Sequence, residues 1–150
     1  MQIEKDFEEL VKLFNKHKVI FIIVGGYALA FHGAHRYTGD IDFFVKPDRD
    51  NAKRIVNALY DFGFGFLDFD TKDFSIPGKI IQLGVPPVRI DIITSLSGVS
   101  WDDAYESRVN GKYGRQKVYF IGKKQFLKNK KVTSRHKDLA DIEALGGINE

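Results

Sequence analysis

No cysteine occurs among the 150 residues, which excludes disulfide scaffolds, thiol catalysis and Cys-ligated zinc or iron–sulfur centres together. Long apolar runs are missing as well. The longest, Val19 to Val24, has six residues, about a third of the ~20 needed to span a bilayer, so no transmembrane helix is expected. The N-terminus, Met1-Gln2-Ile3-Glu4-Lys5-Asp6, carries neither the basic start nor the apolar stretch of a secretory signal, and a cytoplasmic location is the expectation. Neither an H-E-x-x-H pair, a G-x-S-x-G elbow, a P-loop nor a G-x-G-x-x-G fingerprint is present. Repeats and low-complexity linkers are absent too, so the length predicts one domain over residues 1–150. Whatever chemistry the chain performs must run on carboxylates and backbone.

What is present is a balanced globular composition, 43% hydrophobic and 29% charged, with 13 Phe, 6 Tyr and 1 Trp as bulky core material. Net charge is +3, but its distribution is uneven. Residues 1–106 carry 12 basic and 16 acidic side chains, residues 107–137 carry 11 Lys or Arg and no acid, and residues 138–150 carry four acids. Such a basic stretch is either a solvated face or a patch for phosphates, nucleic acid or an acidic partner.

Ile3, Phe7, Leu10, Val11 and Phe14 form one helical stripe. Residues 18–24 read as a strand, apolar on both faces and therefore interior to a sheet, stopped by Gly25-Gly26. A short helix is expected over 27–33, a strand over 40–45, and a helix with Ala52, Ile55, Val56, Leu59 and Tyr60 on its apolar side, ending at Gly63. Residues 79–84 and 88–94 read as strands joined across Pro86-Pro87, 101–106 as a helical turn, and 117–121 as a strand. Ser134 is expected to cap a last helix burying Leu139, Ile142 and Leu145 before Gly146-Gly147. This order predicts an α/β fold, a small mixed β-sheet flanked by helices.

Asp40 and Asp42 stand two apart on a strand, so both carboxylates share one face while Ile41 and Phe43 face the core. Two like charges on a half-buried strand repel each other, and a cation between them relieves that cost. Asp91, within Val88-Arg89-Ile90-Asp91-Ile92, repeats the pattern. Three carboxylates from two strands would form an all-oxygen site suited to Mg²⁺ or Mn²⁺. The alternative is that Asp40 ends a turn after Gly39 and Asp42 faces water. Gly25-Gly26 lets backbone approach an anion at a helix start, or merely makes a tight turn. His32 and His35 lack a third nitrogen ligand, and the Phe-rich stretch 62–74 reads as core before it reads as a base-stacking platform.

Residues 25–45, GGYALAFHGAHRYTGDIDFFV, resemble the signature of the DNA polymerase beta-like nucleotidyltransferase superfamily. That signature is a G-G or G-S pair, a short helix and an hDhDh strand, with a third carboxylate later. The run Arg36-x-Thr38-x-Asp40-Ile41-Asp42 is similar to minimal members, the antibiotic-modifying and AbiEii-like toxin nucleotidyltransferases, and 135–141 resembles their Lys-Asp helix. The resemblance implies a nucleotidyltransferase fold and transfer of a nucleoside monophosphate from an NTP, ATP first, to a hydroxyl, with pyrophosphate leaving. It implies that Asp40, Asp42 and Asp91 hold Mg²⁺ or Mn²⁺, with Asp91 serving or orienting the base. Gly25 and Gly26 would cradle phosphates, Arg36 and Thr38 would contact phosphate or steady the strand entry, and Lys137 would reach the nucleotide. Many members have Ser where Gly26 stands, so a phosphate-contacting hydroxyl is missing here.

The acceptor is left open among a small molecule, a protein and a tRNA end. A small molecule or protein is expected first, because the 150 residues leave no room for a strand-holding domain. A second copy completing the acceptor pocket, a homodimer, is compatible with a one-sided site. The competing readings are a regulatory, non-enzymatic partner in a toxin–antitoxin pair and a basic RNA-binding module using residues 107–137.

Overall fold

The computed structural model describes residues 1–34 and 37–146. Helix α1 (Lys5–Lys16) is capped by the Glu4 carboxylate and buries Phe7, Leu10, Val11 and Phe14. Ile3 stands ahead of that cap and is exposed, so it is not part of the buried stripe. Strand β1 (Phe21–Val24) runs directly into α2 (Gly25–Phe31), and β2 (Asp40–Val45) leads through the Asp48 cap into α3 (Arg49–Leu59). Beyond Leu59 the chain does not stop at Gly63. A wide turn over Tyr60–Phe64 passes Gly63 at φ 108° and tightens into a 3₁₀ turn at Gly65–Leu67, which leaves Tyr60 in solvent. After α4 (Lys72–Ser75) come β3 (Ile80–Leu83), β4 (Arg89–Ile93), α5 (Trp101–Glu106), β5 (Val109–Tyr113), β6 (Gln116–Phe120), α6 (Lys123–Thr133) and α7 (His136–Ala144).

The six strands form one mixed sheet in the order β3-β4-β2-β1-β6-β5. β1 lies inside it, antiparallel to β2 and parallel to β6, as its doubly apolar sequence requires. Alternation along β2 divides the sheet into two faces. Ile41, Phe43 and Val45 are buried on one, where the Phe14 ring of α1 meets Phe21 and Phe43 edge-on at 5.3 and 5.1 Å. Asp40, Asp42 and Phe44 point to the other, where Trp101 of α5 meets Phe44 at 5.0 Å.

The final two helices differ from their sequence pattern in an informative way. α6 is absent from the sequence reading because Lys123 to Lys131 carries too many cations to show an apolar stripe, yet Phe126 and Leu127 are buried. Ser134 closes α6 in the left-handed conformation instead of capping α7. Arg135 is the N-cap of α7, and Asp138 reaches back to its backbone N–H at 3.1 Å. α7 turns Asp138 and Asp141 inward, while Leu139 is half exposed. The cause is Lys130, 7% exposed, whose Nζ lies 3.3 Å from Asp138 and 3.6 Å from Asp141. A buried ammonium needs carboxylates more than the helix needs its leucine inside.

Asp138 also accepts from Thr133 Oγ1 at 2.8 Å and from Arg135 Nε at 2.7 Å. Although burial opposes ionisation, these donors and Lys130 hold its carboxyl well below the usual range. A depressed carboxyl stabilises the fold above its unfolded pKa of about 4, and that stability drains away as pH falls below it. Asp138→Asn should therefore cost about 3–5 kcal/mol at neutral pH by leaving Lys130 under-compensated, with the deficit against wild type shrinking in acid. Adding Lys130→Met should recover more than half. Urea unfolding at pH 7 and pH 3 checks both; a neutral Asp138→Asn would contradict the network.

Candidate active site

β2 and β4 are parallel neighbours in a register that sets Asp42 beside Asp91 and Asp40 beside Arg89. Because side chains alternate, Asp40, Asp42, Arg89 and Asp91 all rise from the same face. One oxygen from each of Asp40, Asp42 and Asp91 lies within 4.8 Å of the others. The structure thus brings together the three carboxylates expected from the sequence. It adds a residue that the sequence reading passed over: Arg89 Nη2 donates to Asp40 at 2.7 Å and to Asp91 at 3.1 Å. The signal was available, since R-x-D on one strand beside D-x-D on the next puts cation and acids on one face.

The three acids are not equivalent. Asp40 is half-buried, which favours the neutral form, but hydrogen bonds from Thr38 Oγ1 (2.8 Å) and Arg89 outweigh this and hold its carboxyl below the ordinary value. Asp42 goes the other way. Removal from water, then the charges of Asp40 and Asp91, push it well above the ordinary carboxylate range. Asp91, 5% exposed, is raised by burial despite Arg89. Its Oδ1 is buried without a donor from any other described residue, and the neighbouring Asp42 carboxyl can relieve it only by sharing a proton. At this separation the charge on each acid affects the ionisation of the other two.

The glycine pair lies against this cluster. Gly25 has φ +69°, and a Cβ there would collide with the Asp42 carboxylate. A Cβ on Gly26 would sit 3.0 Å from Thr38 Cβ and Oγ1, tighter than most real contacts. Space and its backbone angle both require glycine at Gly25, whereas a side chain at Gly26 would need Thr38 to give way. Thr38 braces β2 by donating to the Asp40 carbonyl oxygen (2.9 Å) as well as to its carboxylate.

Of the other expected residues, Arg36 and His35 lie outside the described residues. Lys137 is exposed on the first turn of α7. Lys130, from α6, is the helix-pair cation whose charge acts on Asp42, with Arg135 sensing the same carboxylate. His32 packs with its Nε2 2.7 Å from the Ile121 carbonyl oxygen, a structural contact. The basic segment is spread over the β5–β6 hairpin, α6 and the start of α7. Lys130 and Arg135 are paired with acids of α7, and Arg108 stacks on Tyr105 and Tyr119 at 3.7 and 4.4 Å.

Hard oxygen donors at this spacing, one of them buried and short of a donor, fit a small divalent cation such as Mg²⁺ or Mn²⁺. In the metal-free protein Arg89 supplies part of the missing positive charge. Arg89→Ala should destabilise the protein in chelator by about 1–2 kcal/mol at low salt, the scale of a charge-assisted hydrogen bond at a partly exposed site. Urea unfolding in EDTA reads this directly, and unchanged stability would remove Arg89 from the account.

The family described as nucleotidyl transferase AbiEii toxin, Type IV toxin–antitoxin system, matches residues 10–118. Among solved structures the chain resembles a protein assigned as a nucleotidyltransferase, TM1012 from Thermotoga maritima, with TM-score 0.57 and 14% identity over 97% of this chain and 93% of that one. It also resembles the lincosamide antibiotic adenylyltransferase LnuA, solved with lincomycin bound, with TM-score 0.55 and 17% identity over 99% and 100%. No curated protein sequence matches the chain. The two structures share its fold, a mixed sheet with helices on both sides.

Proposed function

Since the chain belongs to the AbiEii nucleotidyltransferase toxin family and is a nucleotidyltransferase on that ground, we propose that it moves a nucleoside monophosphate from an NTP, ATP first, to the hydroxyl of an acceptor, releasing pyrophosphate. The observation that carries this reading is the convergence of Asp40, Asp42 and Asp91 on one sheet face against Gly25 and Gly26. Phosphoryl-group chemistry asks a protein mainly to position its reactants and to balance charge.

In this reading Asp40, Asp42 and Asp91 hold the divalent metal, Mg²⁺ or Mn²⁺. When bound, that ion supplies positive charge to the triphosphate and to the leaving pyrophosphate. The Gly25-Gly26 turn, packed against Asp42 and Thr38, is assigned to present backbone N–H groups to phosphate oxygens, and Thr38 sets its hydroxyl beside Gly26. Arg36 is assigned to the phosphates. Lys130 acts on Asp42 as fixed positive charge from α6, and Lys137 is left to approach the nucleotide from the solvent side. Asp91 takes, or orients the group that takes, the proton of the attacking hydroxyl. That oxygen bonds to the α-phosphorus, and the bond from this phosphorus to the bridging oxygen breaks with its electron pair leaving on pyrophosphate.

For an RNA or protein partner, the exposed outer face of the β5–β6 hairpin, where Lys112 stands directly opposite Lys117, is the part of segment 107–137 with most to offer. Among the described residues no helix is long and apolar enough to cross a membrane, and a site in the cytoplasm, where NTPs are plentiful, fits the reading.

Mn²⁺ or Mg²⁺ with ATP should stabilise the protein by about 2.7 kcal/mol at 100 times the dissociation constant. Asp91→Asn should keep the fold and lower transfer from labelled ATP by at least ~10²-fold. A melting curve unmoved by metal and ATP, or an Asp91→Asn variant of normal turnover, would overturn the proposal.

A further inference from the structure

We infer that the acceptor is an uncharged, partly apolar hydroxyl compound that reaches Asp91 across the edge strand β3, with Gln82 and Ile80 setting its specificity. This inference rests on the nucleotidyltransferase reading and names the side and chemistry of its second substrate. The sheet register defines the approach. β3 pairs antiparallel with β4, setting Gln82 opposite Asp91 and Ile80 opposite Ile93. Side chains directly opposite have Cβ atoms about 4.5–5.5 Å apart and share a face. Gln82 therefore stands next to Asp91 on the carboxylate face, and Ile80 stands one step further along it.

Two other sides of the trio carry groups already engaged with it. Towards β1, Asp42 lies against Gly25 and under the charge of Lys130. At the head of β2, Asp40 is engaged by Thr38 and Arg89. Past Asp91 lies β3, the last strand of the sheet, with Gln82 exposed and Ile80 64% exposed. Ile80 leaves most of its apolar surface open on the face of a charged cluster, one step from the residue proposed to receive the hydroxyl proton. The shelf offers an apolar contact and an amide that both donates and accepts, with no formal charge of its own.

The charge map separates this shelf from the basic segment. β3 and β5 are opposite edges of the sheet, five strand spacings or about 24 Å apart. A polyanion held by Lys112 and Lys117 would not thereby be held at Gln82. On the shelf the acceptor hydroxyl oxygen bonds to the α-phosphorus, its proton passes to Asp91, and pyrophosphate leaves with the electron pair.

The test uses α-³²P-labelled ATP, Mn²⁺ and the full chain, incubated separately with the dialysable, RNA and protein fractions of a cell extract. Label should enter an uncharged, reversed-phase-retained compound in the dialysable fraction. Gln82→Ala and Ile80→Glu, both at exposed positions, should lower that uptake by at least ~10-fold, the scale of a lost substrate contact, while the Mn²⁺–ATP melting shift persists. Uptake into RNA or protein, uptake into an anionic small molecule, or variants equal to wild type would overturn the inference. So would no uptake with the melting shift intact. Loss of both the shift and the uptake would instead bring down the nucleotidyltransferase reading beneath it.

Discussion

Repulsion among three carboxylates on one face of a sheet is the constraint around which this molecule is arranged. The parallel register of β2 and β4 places Asp42 against Asp91 and Asp40 against Arg89, and each surrounding feature reduces the cost. Thr38 and Arg89 keep Asp40 ionised, burial and its neighbours push Asp42 towards the neutral form, and Lys130 adds positive charge from α6. A fold selected for stability alone would place apolar residues on this face, as it does with Ile41 and Phe43 on the other. Such local conflict in an otherwise consistent structure is what singles this face out as the candidate functional site.

The α6–α7 helix pair repeats the same physics with the signs reversed. Lys130 is buried, and α7 turns Asp138 and Asp141 towards it at the expense of Leu139. The pairing ties the end of the chain to the carboxylate face, so the basic segment is in part structural. Two of its eleven cations, Lys130 and Arg135, answer to acids of α7.

Much of this was legible in the residues themselves. The Asp40–Val45 strand and the Trp101–Glu106 helix have the bounds expected; alternation in the first is a local signal, and the structure adds a Ser100 cap to the second that the sequence reading does not use. The carboxylate trio was legible for the same reason: period two fixes a face, and Asp91 repeats the pattern. Features that depend on partners distant in sequence were not. α6 shows no apolar stripe, the inward turn of α7 depends on Lys130, and β5, with Asn110, Gly111 and Lys112, has little strand propensity without β6 to pair with. Arg89 was visible, and recognising it required only the same face argument that found Asp91.

The central claim is that the acid trio is held against its own repulsion and is relieved by a cation. Its most direct measurement is thermal unfolding of wild type and Asp42→Asn, in EDTA and in Mn²⁺, at pH 5 and pH 8. A carboxyl raised on folding makes the folded state bind more protons, so it lowers stability as pH rises through its folded pKa. Removing it should therefore stabilise the metal-free protein, more at pH 8 than at pH 5, and abolish the Mn²⁺-induced rise in Tm. An Asp42→Asn protein that is less stable without metal, or that keeps the full Mn²⁺ response, would contradict the account.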